Sequence, residues 1–223
     1  MKVWVVIPAY NEELNLVSVL NELCERELCV LVVDDGSKDA TYKVAEERAE
    51  MVIRNDRNLG KGMSLKKGIA YLFKNKDFDY IMTMDSDGQH SPLDIDEFLK
   101  QADKGADFII GNRMHNPMGM PKIRVITNKF MSWFISKIAG VNIPDTQCGF
   151  RLIKREVLEK VRIKTSKFEI ESEIIIKAAR QGFVIKSVPI QSIYSKNNFS
   201  RIRPVVDTLR FIRFILRLKD EPG

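Results

Sequence analysis

Tyr80-Ile81-Met82-Thr83-Met84-Asp85-Ser86-Asp87-Gly88-Gln89-His90 is the stretch whose reading decides the fold. Five apolar or β-prone residues make a buried strand, and the strand runs straight into two carboxylates one residue apart. Like charges at that spacing raise each other's pKa, and desolvation adds to the cost. A hard divalent cation removes the cost, because it prefers carboxylate oxygens. A polar turn is the other reading, with Asp85 capping a helix and Asp87-Gly88 making the bend.

Working outward, the first 111 residues alternate β-rich runs with helical patterns. Strands are expected at 2–8, 29–34, 51–54, 79–84 and 107–111, and helices at 12–25, 39–47, 60–75 and 92–101. The strands are continuous apolar runs, as strands covered on both faces are. Repeated strand–helix units give an α/β fold with a doubly wound, mostly parallel sheet. Such sheets bind ligands at the carboxyl ends of their strands. Pro8-Ala9-Tyr10-Asn11-Glu12, Asp34-Asp35-Gly36-Ser37 and Asp85-Ser86-Asp87 all fall at such ends, which favours a functional site over three unrelated turns. The second half reads as a Gly/Pro loop over 115–122, an aromatic helix over 123–139, a polar connection over 144–151, a helix over 168–180, strand character over 183–194 and a last helix over 204–219. No repeat or flexible linker interrupts the chain, so residues 1–223 are expected to form one domain. It divides into the alternating strand–helix half over 1–111, a second half over 112–202 and an amphipathic C-terminal helix over 203–223.

The 223 residues carry a net charge of +6, which suits an anionic partner such as a nucleotide, a nucleic acid or a membrane surface. Six Arg or Lys against one Asp lie between Arg201 and Lys219. Cys24, Cys29 and Cys148 are too scattered for a disulfide framework or a zinc site, and the first two are expected as buried thiols; this usage points to a reducing compartment. No apolar run reaches the length of a signal peptide or a spanning helix.

A dinucleotide site needs G-x-G-x-x-G after the first strand. Pro8-Ala9-Tyr10-Asn11-Glu12-Glu13 stands there instead, which argues against NAD and against a P-loop. A tyrosine and carboxylates suit a ring and a ribose, and the same acids suit a helix N-terminus. Asp34-Asp35-Gly36-Ser37 reads as an Asx-type turn or as a base-recognition carboxylate.

P-A-Y-N-E-E, V-V-D-D-G-S-K-D-A-T, N-L-G-K-G, D-S-D-G-Q-H, G-N-R, D-T-Q-C-G-F-R and F-E-I-E-S-E, in this order, resemble a family 2 glycosyltransferase of the GT-A fold. Within that family the chain is most similar to dolichol-phosphate mannose synthases and related polyprenyl-phosphate glycosyltransferases. The resemblance covers nearly the whole chain. It implies that Pro8, Ala9, Tyr10, Glu12 and Asp35 hold the nucleotide, joined by Asp85, Ser86 and Asp87 at its diphosphate. It implies that Asp85, Asp87 and Gln89 bind Mg²⁺ or Mn²⁺, with Asp87 counted in the catalytic set. Arg113, Arg124 and Asn128 match acceptor or phosphate contacts; Arg124 and Asn128, at i and i+4, share a helix face. Asp145 matches a residue proposed as catalytic, a base for a hydroxyl acceptor and an orienting group for a phosphate. Glu173 matches a family glutamate. After Val188-Pro189-Ile190 the chain departs from the mannose synthases, with Ser195 and Asn198 where they have Arg and Gly, so the donor's sugar and base stay open.

The implied function is inverting, metal-dependent transfer of one sugar from a nucleoside-diphosphate sugar donor to a polyprenyl-phosphate acceptor. The alternatives are a hydroxyl acceptor on a glycan or glycolipid, and nucleotide-sugar binding without catalysis. On a helix from Pro204, Val205, Leu209, Ile212 and Leu216 share one face and Arg203, Arg210, Arg213 and Arg217 lie largely on another. Together with the helix around Trp133 this suggests peripheral membrane contact. The expected location is cytoplasmic, on the inner face of the cell membrane. No nucleic acid partner is expected, and a homo-oligomer is compatible with the pattern.

Overall fold

The computed structural model describes residues 1–165, 169–191 and 193. Seven strands form one sheet in the order β3-β2-β1-β4-β6-β5-β7. They are β1 Val3–Ala9, β2 Cys29–Asp34, β3 Met51–Arg54, β4 Tyr80–Thr83, β5 Phe108–Asn112, β6 Arg151–Lys154 and β7 Ile185–Pro189. All neighbours pair in parallel except β6, which runs antiparallel to both β4 and β5. Every residue of β1 and of β4 is buried, as their unbroken apolar runs require. The helices are α1 Glu13–Cys24, α2 Thr41–Arg48, α3 Lys61–Asn75, α4 Ile95–Asp103, α5 Lys122–Ala139, α6 Arg155–Lys160 and α7 Glu169–Arg180.

The chain builds outward from β1 to β3, then returns through α3 to start β4 on the other side of β1. Right-handed crossovers put α3 on the face opposite α1 and α2 when the direction reverses. The gap between β1 and β4 is therefore the switch point at which such sheets open a crevice. α3 lies close on the sheet because Gly68 has no side chain. A Cβ there would stand 2.8 Å from Val6 Cγ1.

Two expectations need correction. The polar connection read to Arg151 ends in a strand: Arg151–Lys154 forms β6 between β4 and β5, and Arg155–Lys160 follows as α6. Cys24 and Cys29 are exposed, because they sit at the end of α1 and the start of β2, outside the packed layers. The segment 194–201 and the helix expected over 204–219 lie outside the described residues. Among the described residues no helix is long and apolar enough to cross a membrane.

Candidate active site

The loops after β1 and β2 are stitched together by side chains. Asn11, at φ 53°, donates its N–H to Ser37 Oγ at 3.0 Å and accepts from the Lys38 N–H through Oδ1 at 2.9 Å. The Glu12 N–H donates to Thr41 Oγ1 at 2.8 Å, and Glu12 Oε2 accepts from Asn15 Nδ2 at 2.8 Å. This holds Pro8, Ala9, Tyr10 and Glu12 at the crevice edge beside Asp35. The Asp35 carboxylate is buried and organises a third loop. It accepts from Asn55 Nδ2 at 2.8 Å, from the Leu59 N–H at 2.9 Å and from the Gly60 N–H at 2.8 Å. Asp35 thus sets the path by which the chain enters α3 and places Lys61, the first residue of that helix.

Asp85, Ser86 and Asp87 follow β4. Lys61 Nζ lies 2.6 Å from Asp85 Oδ1 and 3.2 Å from Glu171 Oε1. Burial would raise the Asp85 carboxyl, but the Lys61 ammonium overrides it and holds Asp85 well below the usual carboxylate range. For Asp87 burial and the Asp85 charge act together, and its carboxyl is pushed up to about 6. The two acids therefore do not share their fate: Asp85 has its own cation, and Asp87 lacks charge compensation of that quality. Asp87 Oδ1 accepts from the Gln89 N–H at 3.0 Å, and Ser86 and Gln89 are buried.

These residues fit a divalent cation. Asp85 and Asp87 offer hard oxygens on a partly open edge, and the Asp87 carboxyl, raised first by burial and then by the Asp85 charge, is a group that a nearby cation would stabilise in its ionised form. Among the described residues no group of three or more acidic, histidine or cysteine side chains forms a metal cluster. Two carboxylates, with the remaining positions left to substrate phosphate and water, is how Mg²⁺ is commonly held.

The antiparallel β6 brings its first residues to this same edge. Thr83 pairs with Arg151, so the register carried two residues on sets Gly149 opposite Asp85. A Cβ on Gly149 would lie 2.6 Å from Asp85 Oδ2 and 2.7 Å from Lys61 Nζ. Arg151 is fully buried, and three main-chain carbonyls satisfy its guanidinium: Nε donates to Cys148 at 2.7 Å, Nη1 to Glu171 at 2.8 Å and Nη2 to Thr146 at 2.9 Å. His90 is buried as well. Its ring stacks on Phe150, and burial lowers it to about 4 against the pull of Asp85, so it is neutral at neutral pH.

Arg113, directly after β5, meets Asp145. Nε donates to Oδ2 at 2.7 Å, Nη2 to Oδ1 at 3.0 Å, and the Arg113 N–H to Oδ2 at 3.2 Å. The Gln147 N–H adds a fourth contact to Oδ1 at 3.2 Å. Asp145 is 0% exposed and Arg113 3%. The neighbouring Thr146 N–H donates to Ser132 Oγ on α5 at 2.8 Å. Asn128, one turn earlier on α5, is 8% exposed, and its Nδ2 has no hydrogen-bond partner among the described residues. Arg124 stands a further turn toward the start of α5 and is partly exposed.

The geometry so far is a pair of acids at the switch point of the sheet and a buried Arg113–Asp145 pair after β5. A family model described as "Glycosyl transferase family 2" matches residues 4–162. The chain belongs to glycosyl transferase family 2. It is a glycosyltransferase with the GT-A fold expected from the motifs. It is 28% identical over 241 residues to the UDP-N-acetylglucosamine–dolichyl-phosphate N-acetylglucosaminyltransferase of Methanococcus voltae, covering 97% of this chain and 96% of that one. It is 31% identical over 202 residues to the polyprenol monophosphomannose synthase of Mycolicibacterium smegmatis, covering 83% and 75%. A crystal structure of glucosyl-3-phosphoglycerate synthase from Mycobacterium tuberculosis, in complex with Mn²⁺, uridine diphosphate and phosphoglyceric acid, superposes with a TM-score of 0.72 at 20% identity, over 95% of this chain and 75% of that one. That last likeness carries the fold alone.

The structure thus gathers Tyr10, Glu12, Asp35, Asp85, Asp87 and Gln89 on one edge, and joins Arg113 to Asp145. Sequence reasoning assigned no role to Lys61, Glu171 or Gly149. The N-L-G-K-G and F-E-I-E-S-E motifs contain the first two, but their pairing across α3 and α7 has no local signal.

Proposed function

We propose that this enzyme transfers one sugar, with inversion, from a nucleoside-diphosphate sugar to a polyprenyl phosphate. The engagement of Asp145 carries the choice of acceptor. A general base must reach the proton it removes, yet both Asp145 oxygens take two hydrogen bonds each from Arg113 and Gln147, away from solvent. A hydroxyl acceptor needs such a base, whereas a phosphate acceptor is already ionised. On this reading Asp145 acts through Arg113: it takes the guanidinium fork and fixes a buried positive charge beside the acceptor phosphate. The Asn128 donor, which has no partner among the described residues, and Arg124 on the same helix complete an anion-binding wall, and the names of the two relatives, a dolichyl-phosphate transferase and a polyprenol monophosphomannose synthase, agree with it.

In the transfer a phosphate oxygen of the acceptor attacks the anomeric carbon as the bond from that carbon to the donor's diphosphate breaks. Pro8, Ala9, Tyr10 and Glu12 would seat the nucleoside, and Asp35 would support it through the loop it organises. Mg²⁺ or Mn²⁺ held by Asp85 and Asp87, with Gln89 beside them, would supply Lewis-acid stabilisation of the leaving diphosphate.

The reading places the enzyme peripherally on the cytoplasmic face of the membrane. Ile123, Ile126, Phe130 and Trp133 repeat at three- and four-residue spacing along α5 and are 56–72% exposed. α5 also carries Lys122, Arg124, Lys129 and Lys137 and no acidic residue, which suits an anionic lipid surface.

The test is the acceptor's KM. Arg124→Ala should raise KM for a polyprenyl phosphate more than KM for the donor. Equal effects, or an effect on the donor alone, would move Arg124 to the nucleotide and undercut the anion wall.

A further inference from the structure

We propose that Lys61 is a donor-binding residue whose ammonium contacts the diphosphate of the nucleotide directly. This rests on the nucleoside-diphosphate donor of the preceding reading and adds to it a cation built into the chain.

Charge balance comes first. Glu12, Asp85, Asp87 and Glu171 all act on this edge of the sheet, and a diphosphate brought to four carboxylates is repelled. Lys61 sits between two of them, 2.6 Å from Asp85 and 3.2 Å from Glu171. An ammonium carries three N–H donors, and Glu171 Oε1, although 3.2 Å away, accepts no hydrogen bond from it, so the ion pairs do not exhaust its donors. The second observation is access. The Lys61 side chain remains 27% exposed and that of Asp85 26%. The third is construction. Gly149 lets the main chain pack directly against this pair, since a Cβ there would clash with the Asp85 oxygens and the Lys61 nitrogen at 2.6–2.7 Å. Lys61 also begins the 15-residue helix α3, whose N-terminal end favours an anion.

Glu171 gives the inference its sharpest consequence. The Arg151 guanidinium is satisfied by three main-chain carbonyls and lies 3.9 Å from the Glu171 carboxylate. Arg151 therefore keeps its hydrogen bonds when that charge is removed, and the main effect of Glu171→Gln is to leave Lys61 with one carboxylate fewer.

Calorimetric titration of the full chain with inorganic pyrophosphate, UDP and GDP tests this, in EDTA and again with MnCl₂. Wild type should bind at least one of them in EDTA. Lys61→Met should weaken that metal-free affinity by about tenfold to a hundredfold, the range of one charge-assisted hydrogen bond. Lys61→Arg should restore most of it, and Glu171→Gln should tighten it. In the Lys61→Met background Glu171→Gln should tighten it much less, because no ammonium is left to release; a structural role alone for Lys61 would leave the tightening equal in both backgrounds. Unchanged metal-free affinity in Lys61→Met, or a weakening in Glu171→Gln, would overturn the inference while Mn²⁺-dependent binding kept the donor reading intact. Wild type that bound the nucleotides only with Mn²⁺ would also overturn it. Wild type that bound none of them under either condition would overturn the donor reading together with the inference.

Discussion

Replacing Asp145 by Asn separates an anchor from a base. The carboxylate is fully buried and takes four hydrogen bonds, three from Arg113 and one from Gln147. The isosteric amide keeps one acceptor oxygen and turns an NH₂ toward either Arg113 Nε or Arg113 Nη2. At least one charged donor is then left facing another donor, in a place water does not reach. Breaking a buried pair from one side costs about 3–5 kcal/mol, a large share of the ~5–15 kcal/mol that stabilises a typical domain. Asp145→Asn should therefore lower stability in urea by about that amount. Arg113→Met should do the same, and the double variant should cost clearly less than the sum, because each single change already removes the shared interaction. Urea melts of the four proteins measure the coupling, and steady-state kinetics run beside them. A general base behaves otherwise: its loss lowers turnover by about 10²–10⁴ without a matching loss of stability. An Asp145→Asn protein as stable as wild type, with turnover reduced on that scale, would refute the anchor and restore a hydroxyl acceptor.

Three further outcomes follow from the same geometry. Asp87→Ala should abolish Mn²⁺ binding, measured by calorimetry, and metal-dependent transfer while the fold persists; near wild-type turnover would remove the paired acids from the donor site. Glu173 is buried, which by itself raises its pKa, yet Lys177, Thr165 and the N–H groups of Lys164 and Thr165 bind the carboxylate and hold it below its ordinary value. The stability it contributes is present above the unfolded pKa of about 4.3 and disappears as pH falls through the lower folded value, so urea melts of wild type and Glu173→Gln should differ at pH 7 and converge in acid. A Phe130→Ser/Trp133→Ser variant should sediment less with anionic liposomes, most visibly at low salt, with nucleotide binding unchanged; equal sedimentation would leave α5 without a lipid role.

The first half of the chain was legible because its signals are local. Val3–Ala9, Cys29–Asp34 and Tyr80–Thr83 are continuous apolar runs with polar motifs at their ends, and the observed strands match them to within a residue or two at their boundaries. β6 was not legible. Arg-Leu-Ile-Lys is four residues long and opens with a charged side chain. It is a strand because β4 and β5 flank it and because the carbonyls of Thr146, Cys148 and, from α7, Glu171 accept from Arg151 and allow its burial. The same distinction holds at the site. Asp85 and Asp87 announce themselves by adjacency, and Asp35 by the turn around it. Arg113 and Asp145 lie 32 residues apart and were read as separate contacts, since only the β5–β6 hairpin-like pairing makes them one unit. Lys61, Glu171 and Gly149 come from α3, α7 and the approach to β6, so their convergence on Asp85 is tertiary information. Cys24 and Cys29 show the converse error, in which residue type suggested burial and position at the ends of elements prevented it.

The acceptor is the central claim, and its product is the most direct measurement. The purified full chain, incubated with Mn²⁺, a panel of UDP- and GDP-sugars and a polyprenyl phosphate, should yield one lipid product by mass spectrometry. Its mass should exceed that of the acceptor by a single anhydrosugar, and mild acid should release that sugar, as expected for a glycosidic phosphate ester. A panel that left the polyprenyl phosphate unmodified while glycosylating a hydroxyl of a glycan or glycolipid would contradict the account.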